Sequence, residues 1–572
     1  MKLINYYLLI VNFVYCAIEE HKVTNLPGTS EDNLKFDHYS GYLDLGEFAG
    51  DSRYFYWLFH NKKFDKENNK KLLIWLNGGN KFFSADGIIL EKGIFNISGD
   101  LDKPSEIKLR ALEDGWHSFT KVLMVDQPLG TGYSVGQQKF YAKDVNQASD
   151  YFAMFLKQFL DKYPEYKDNE IYLGGESWAG VWIPYIADKL IKTNSEAKLK
   201  GMMIGNGWMD PFNQYSSYIP YIEKHNLLPK DQLDKLRSKY KEICEPKLES
   251  EKHKLRIEQC EAIISEITEY SVKGDEKDKT CINLYDIRLR DSYPACGMEW
   301  PPNVGLFRAY MARPEVATAL HGELPKDHKW QECDPTVYQV INKDPSKPPI
   351  ELIPELLKTL KLYLFVGDKD LMTPITGIQQ MVQKLVKQYP KSIQNKEEAQ
   401  WYHDEERSAE GEMVIYPALN ITFASIFDAS HMVSFNKPSE VSGLFKYFMN
   451  GDDRLVDSPS FFLGAKKTQV VKDDEEFPVI SIIDDAPTAD THVRTASNFY
   501  FYIPILIILL GVIGGIVWFI FNRNQHKNYL DIHHPTDAEG GLINGEDEIL
   551  LSDRGGFMDG YEDDDDDEDD DF

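Results

Sequence analysis

Six apolar or β-branched runs recur along the chain with helical segments between them: Leu72–Leu76, Val122–Val125, Ile171–Leu173, Met202–Ile204, Leu362–Val366 and Ile421–Phe427. Strands of a parallel sheet are covered by helices on both faces, so they read as near-continuous apolar runs rather than alternating ones. The alternation of such runs with helical stretches predicts an α/β fold, a mostly parallel sheet flanked by helices. In open sheets of this kind ligands bind beyond the carboxyl ends of the strands. The segments that follow the runs are rich in chemistry: Asn77-Gly78-Gly79, DQPLGTGYS at 126–134, GGES at 174–177, GNGWMDP at 205–211, GDKD at 367–370 and DASHM at 428–432.

The third of these is read as a nucleophile elbow. A strand that turns sharply into a helix raises one side chain above the sheet, and small neighbours let the backbone tolerate the strained turn. Ser177 is the raised residue. The helical spacing of apolar residues from Ala179 to Thr193 supplies the helix that the motif requires. The usual closing glycine is Ala179 here, and Gly180 keeps a small residue where helix and sheet would otherwise collide.

A serine hydroxyl needs an imidazole base, itself oriented by a carboxylate, to act as a nucleophile near neutral pH. Asp370 and His431 follow later strands and give the chain order Ser, Asp, His. Taken singly, Asp368 or Asp370 reads as a helix cap and His431 as one of fourteen histidines. Three partners at three strand ends in the right order point instead to a triad. Acyl transfer also needs donors for the oxyanion, and the backbone N–H groups of Trp178 and Gly79 occupy the expected places.

Two apolar segments bound this region. Residues 3–17 (LINYYLLIVNFVYCA) follow Lys2 and read as a secretory signal peptide, with 1–16 removed. Residues 499–521 carry no charge over a length that spans a bilayer. Arg523 and Lys527 follow directly, which places the C-terminus in the cytosol and predicts a single-pass type I membrane protein with a lumenal domain at 17–455. The formal charge of −29 is concentrated late: residues 563–571 are all acidic, and 472–490 form another acidic stretch. Such balance excludes nucleic acid as a partner and reads as solvated chain, a stalk at 456–498 and a tail at 522–572. Within the tail, YLDI at 529–532 has the spacing of a sorting signal read by membrane-traffic adaptors.

Five cysteines remain after the signal segment, at 244, 260, 281, 296 and 333. In an oxidising compartment the first four are expected to form two bridges, in one of three connectivities, with Cys333 free or paired elsewhere. No His/Cys spacing suits zinc, so no metal and no cofactor is expected. Asn96-Ile97-Ser98 and Asn420-Ile421-Thr422 are N-glycosylation sequons.

Across roughly 33–451, WLNGG (75–79), DQPLGTGYS (126–134), GESWAG (175–180), GNGWMDP (205–211), GDKD (367–370) and HMV (431–433) resemble the serine carboxypeptidase family, a branch of the α/β-hydrolases. The signal segment, single membrane span and acidic tail look like its membrane-anchored Kex-type pheromone-processing members of the Golgi and trans-Golgi network. The resemblance implies a helical insertion at about 212–300, Ser177, Asp370 and His431 as the triad, and Gly79 and Trp178 as oxyanion hole. It further implies that Asn77, Glu176 and the N–H of Gly78 hold the substrate's terminal carboxylate, and that Asp86, Leu90, Glu91 and Met432 line the space for the released residue. Carboxylates there suit Lys or Arg. Glu176 hydrogen-bonds a carboxylate only when protonated, so activity is expected to favour acidic pH.

The chain departs from the family in one cluster. WLNGGNKFFS at 75–84 replaces WLNGGPGCSS, with Phe82 at the position of a cysteine, which makes Cys333 that cysteine's orphaned partner. Thr373, Pro374 and Ser434 replace a cysteine, an asparagine and a proline near the second and third triad members. Two readings follow: a serine carboxypeptidase trimming C-terminal Lys or Arg from secretory peptide precursors, or a weakened relative acting as a lumenal binding or sorting protein.

Overall fold

A computed structural model describes residues 20–450 and 461–469, apart from 31–33, 47–48, 65–68, 80–83, 276, 323, 326–329, 404–407 and 465–466. These residues belong to the first of two compact units, Met1–Ser481; the second, Ile482–Phe572, lies outside the described residues.

Ten strands form the body of one sheet: β1 (Asp37–Asp44), β2 (Arg53–His60), β3 (Lys71–Leu76), β4 (Lys121–Val125), β5 (Glu170–Glu176), β6 (Lys198–Gly205), β7 (Lys361–Gly367), β8 (Lys396–Tyr402), β9 (Gly411–Tyr416) and β10 (Ile421–Ile426). Their spatial order is β1-β2-β4-β3-β5-β6-β7-β10-β9-β8. The six central strands, β4 through β10 in that order, run parallel, and antiparallel pairs close both edges. All six apolar runs fall on these parallel strands, where β3, β4 and β10 are buried along their whole length. The expected mostly parallel α/β sheet is therefore present, and it is an α/β-hydrolase-like fold.

Both faces carry helices. Alternate residues of β2 point to opposite sides, as the two-residue repeat of a strand requires. Phe55, Trp57 and Phe59 join Trp75 and Phe365 in one core, where Phe445 of α7 (Pro438–Asn450) packs against Trp75, Trp116 and Phe365. Tyr54 and Tyr56 instead meet Phe155 of α2 (Val145–Lys162), and Tyr56 also meets Phe159 there. The Asp144 side chain caps that helix by accepting from the Gln147 N–H at 2.8 Å. The remaining helices that matter for the site are α1 (Ala85–Ile89), α3 (Ala179–Lys192), α4 (Pro211–Lys224), α5 (Glu258–Tyr270) and α6 (Ile375–Val386).

Disulfides join Cys244 to Cys260 and Cys281 to Cys296, the sequential one of the three connectivities. Each closes a short loop, at separations of 16 and 15 residues, and together they brace the segment that roofs the site.

One boundary moves. The chain after 455, expected as solvated stalk, places Phe462–Leu463 and Lys467–Gln469 antiparallel on β8. Phe461 is buried and stacks on Trp401 and Tyr447, so an apolar anchor carries the folded part outward to Gln469 at least. Among the described residues no helix is long and apolar enough to cross a membrane. The signal segment, the 499–521 run, the YLDI tail and the Asn80–Phe83 loop lie outside the described residues, as does the side chain of Cys333.

Candidate active site

Ser177 sits between β5 and α3 with φ +59°, the left-handed backbone of a strained turn. Its N–H donates to the Gly205 carbonyl at 2.9 Å, and its carbonyl accepts from Gly180 at 3.0 Å and Trp208 at 2.8 Å. Crowding explains the small residues around it. A Cβ on Gly78 would lie 2.1 Å from the Glu176 carbonyl oxygen, and one on Gly180 would lie 2.7 Å from the Trp208 nitrogen. The close helix–sheet approach thus falls at Gly180, while Ala179 is accommodated because Gly175 opposite has no side chain.

Asp370 follows β7 and His431 follows β10. Both are buried, and His431 Nδ1 lies 2.7 Å from Asp370 Oδ2. Four further donors converge on that carboxylate: Asn206 Nδ2 at 2.7 Å, Thr373 Oγ1 at 2.6 Å, the Met372 N–H at 2.9 Å and the Thr373 N–H at 3.3 Å. Asn206 also accepts from the Gly367 N–H at 2.9 Å, so one side chain locks the end of β7 to the end of β6. The His431 N–H donates to the Tyr285 carbonyl at 2.9 Å, and the two rings meet edge to face. Such a cage fixes one imidazole nitrogen and leaves the other for chemistry.

Ser177, His431, Gly79 and Trp178 share one cavity of about 290 Å³. Gly79 has φ +81°, a conformation suited to glycine, and Trp178 opens α3, so the backbone N–H groups expected to serve an oxyanion border the same space as the serine. The far walls are aromatic and thioether, with Arg256 and Glu261 between them.

Behind Ser177 lies a cluster of buried carboxyls: Asp86 in α1, Glu91 just after it, and Glu176 at the end of β5. Asn77 Nδ2 donates to Glu91 Oε1 at 3.3 Å, while Asn77 Oδ1 accepts from Trp75 Nε1 at 2.6 Å and from the Gly87 N–H at 3.2 Å. Burial, then the charge of Glu91, holds the Glu176 carboxyl well above the usual carboxylate range. Burial lifts Glu91 to about 7, with the hydrogen bonds from Glu176 and Asn77 opposing it. Burial thus favours the protonated form of both carboxyls. Asp86 is raised by burial and by Glu332, and neither of its oxygens has a hydrogen-bond partner among the described residues. Leu90, next to Glu91 in the sequence, and Met432, next to His431, are both buried.

The sequence pointed to the strand ends but missed Asn206 and Thr373 as donors to Asp370, and the Arg256–Glu261 pair altogether. Asn206 lies within GNGWMDP; Arg256 carries no local signal. DQPLGTGYS has a structural use: the Ser134 hydroxyl donates to the Asp126 carbonyl at 2.6 Å and accepts from Phe55 N–H at 2.8 Å, tying β2 to the turn after β4. Of the sequon residues, Asn96 is half-buried on Phe95–Ser98, and Asn420 is exposed with φ +58°. Among the described residues no group of His, Cys, Asp and Glu is arranged to hold a metal.

Fold and site together are those of a serine hydrolase on an α/β-hydrolase-like scaffold. The serine carboxypeptidase family matches residues 27–451, and the chain belongs to that family. It is a serine-type carboxypeptidase, a hydrolase of peptides. A pheromone-processing carboxypeptidase of Tuber melanosporum is 35% identical over 443 residues, covering 75% of this chain and 69% of that protein. One from Aspergillus niger is 31% identical over 550 residues, covering 92% of this chain and 86% of its own. The crystal structure of a prohormone-processing carboxypeptidase from Saccharomyces cerevisiae superposes with a TM-score of 0.69 at 29% identity, covering 78% of this chain and 99% of the other.

Proposed function

We propose that the chain removes C-terminal Lys and Arg from peptide precursors of the secretory pathway through an acyl-enzyme. The observation that carries this reading is the placement of Ser177 and His431 on one cavity, with Asp370 2.7 Å behind the imidazole. His431 holds Asp370 through Nδ1, so its Nε2 takes the proton of Ser177 as the hydroxyl attacks the last peptide carbonyl. The N–H groups of Gly79 and Trp178 receive the oxyanion. His431 then gives its proton to the departing amino group, and water releases the acyl chain by the same route.

Asn77, the Gly78 N–H and protonated Glu176 hold the terminal carboxylate, and the contact of Glu91 with Asn77 joins it to that group. The released side chain lies by Asp86, Glu91, Leu90 and Met432. Asp86, buried with no hydrogen-bond partner on either oxygen among the described residues, gains donors from a basic head group. The names of the fungal relatives support processing of pheromone or prohormone precursors. The same reading makes the protein a type I resident of the Golgi and trans-Golgi network, with glycans at Asn96 and Asn420 and adaptors on the YLDI tail.

The test is to incubate purified protein with a peptide ending in Lys-Arg at about pH 5.5, where Glu176 and Glu91 hold protons, beside Ser177→Ala. Stepwise loss of both residues by wild type alone is expected. Equal behaviour of the two proteins refutes the reading and leaves a lumenal binding role.

A further inference from the structure

We infer that Arg256 is an internal counter-ion that keeps the acyl-side pocket neutral, so that the enzyme selects a large uncharged residue at the penultimate position of its substrate. This rests on the peptidase reading above. The side chains of Asn77, Glu91 and Glu176, which face the substrate's end, do not line the 290 Å³ cavity. The cavity is bordered by Ser177 and His431 and by Glu261 and Ile264 of α5, so on this reading it receives the residue that becomes the acyl group. Trp208, Tyr218, Tyr285, Tyr338, Met298 and Met372 form most of its wall.

Two charges enter this wall and neutralise each other. Arg256 Nη2 donates to Glu261 Oε2 at 2.7 Å. Both ends of the pair are committed elsewhere as well: Arg256 Nη1 donates to Asn342 Oδ1, and Glu261 Oε1 accepts from the Tyr215 hydroxyl. The guanidinium also lies over the ring of Trp178, the residue after the nucleophile, 5.9 Å from its centroid. A penultimate Lys or Asp entering here loses its water and meets a charge already paired, while an aromatic or aliphatic side chain meets rings and thioethers. Each charged residue also guards the pocket against its own sign: without Arg256 the pocket is acidic, and without Glu261 it is basic.

Processing then has an order. On a peptide ending X-Lys-Arg, with X apolar, the first cut places Lys in the pocket and the second places X there. The first cut is the slower one, and the peptide ending X-Lys does not accumulate.

The experiment compares kcat/KM of the full-length protein for blocked tripeptides ending in Arg, with Leu, Phe, Lys or Asp before it. Wild type is expected to favour Leu and Phe over Lys and Asp by at least about tenfold. Arg256→Gln is expected to raise Lys relative to Leu by about tenfold, Glu261→Gln to raise Asp similarly, and Arg256→Lys to keep the wild-type order. Wild type that favours Lys or Asp, or glutamine variants with unchanged ratios, overturns the inference. Should Arg256→Gln not fold, the Asp-to-Leu ratio of Glu261→Gln decides alone. Absence of turnover on every peptide refutes the peptidase reading instead.

Discussion

Gly78→Ala probes the geometry on which the oxyanion depends. The added Cβ would lie 2.1 Å from the Glu176 carbonyl oxygen, 2.3 Å from the Trp178 nitrogen and 2.5 Å from the Ser177 Cβ. None of these is the movable end of a long side chain, so the loop 77–79 must retreat from the elbow by about 1 Å to restore ordinary contact. A displacement of that size at a reacting centre costs on the order of 10²-fold in rate, and overpacking costs about 1–3 kcal/mol of stability. The assay is steady-state cleavage of a peptide ending in Lys-Arg, alongside a thermal melt to show that the variant is folded. A kcat lowered about a hundredfold in a folded protein is expected. A folded variant within about threefold of wild type refutes the role given to this loop.

The buried carboxyls predict a pH dependence with a definite sign. As pH rises through about 7, Glu91 loses its proton, the substrate's carboxylate must then bind beside a negative charge, and KM should rise by up to about tenfold per unit. Measured over pH 5.5–8 with a peptide acid and its C-terminal amide, about that range, the rise belongs to the acid alone; parallel curves contradict the assignment of Glu176 and Glu91. The same raised carboxyls bind more protons folded than unfolded, so stability falls as pH climbs from the ordinary glutamate range through about 7. A melting temperature that rises over this window, or one whose fall is unaffected by Glu91→Gln, contradicts it. Asn206→Ala strips a donor from Asp370 and an acceptor from the Gly367 N–H, and should cost about 1–3 kcal/mol with a lowered kcat at unchanged KM. Denaturant melts and kinetics read both effects, and a raised KM alone would contradict a positioning role.

The central sheet was legible because its strands are buried on both faces and spell themselves as apolar runs, as Leu72–Leu76 does within Lys71–Leu76. β1 was not, since the edge strand DHYSGYLD mixes polar residues with its buried ones. Ser177, Asp370 and His431 were legible from position, each just beyond a run. The donors that fix Asp370 were less so: GNGWMDP shows a turn, yet nothing local says that Asn206 reaches Asp370, 164 residues on. Arg256 and Glu261 come to the nucleophile only through the folding of a charged, disulfide-braced segment whose sequence reads as ordinary solvated helix. The raised Glu176 and Glu91 likewise depend on desolvation, which a sequence does not display. The pairing of Phe462–Leu463 and Lys467–Gln469 with β8 was hidden by composition, because a short segment among polar and acidic residues reads as solvated chain.

The nucleophile is tested most directly by covalent labelling. Treat the purified protein with a fluorophosphonate and locate the adduct by peptide mass spectrometry, with Ser177→Ala and His431→Ala alongside. One adduct per chain on Ser177, absent from Ser177→Ala and formed much more slowly in His431→Ala, is the expected result. A folded protein that takes no label, or takes it on another serine, contradicts the triad.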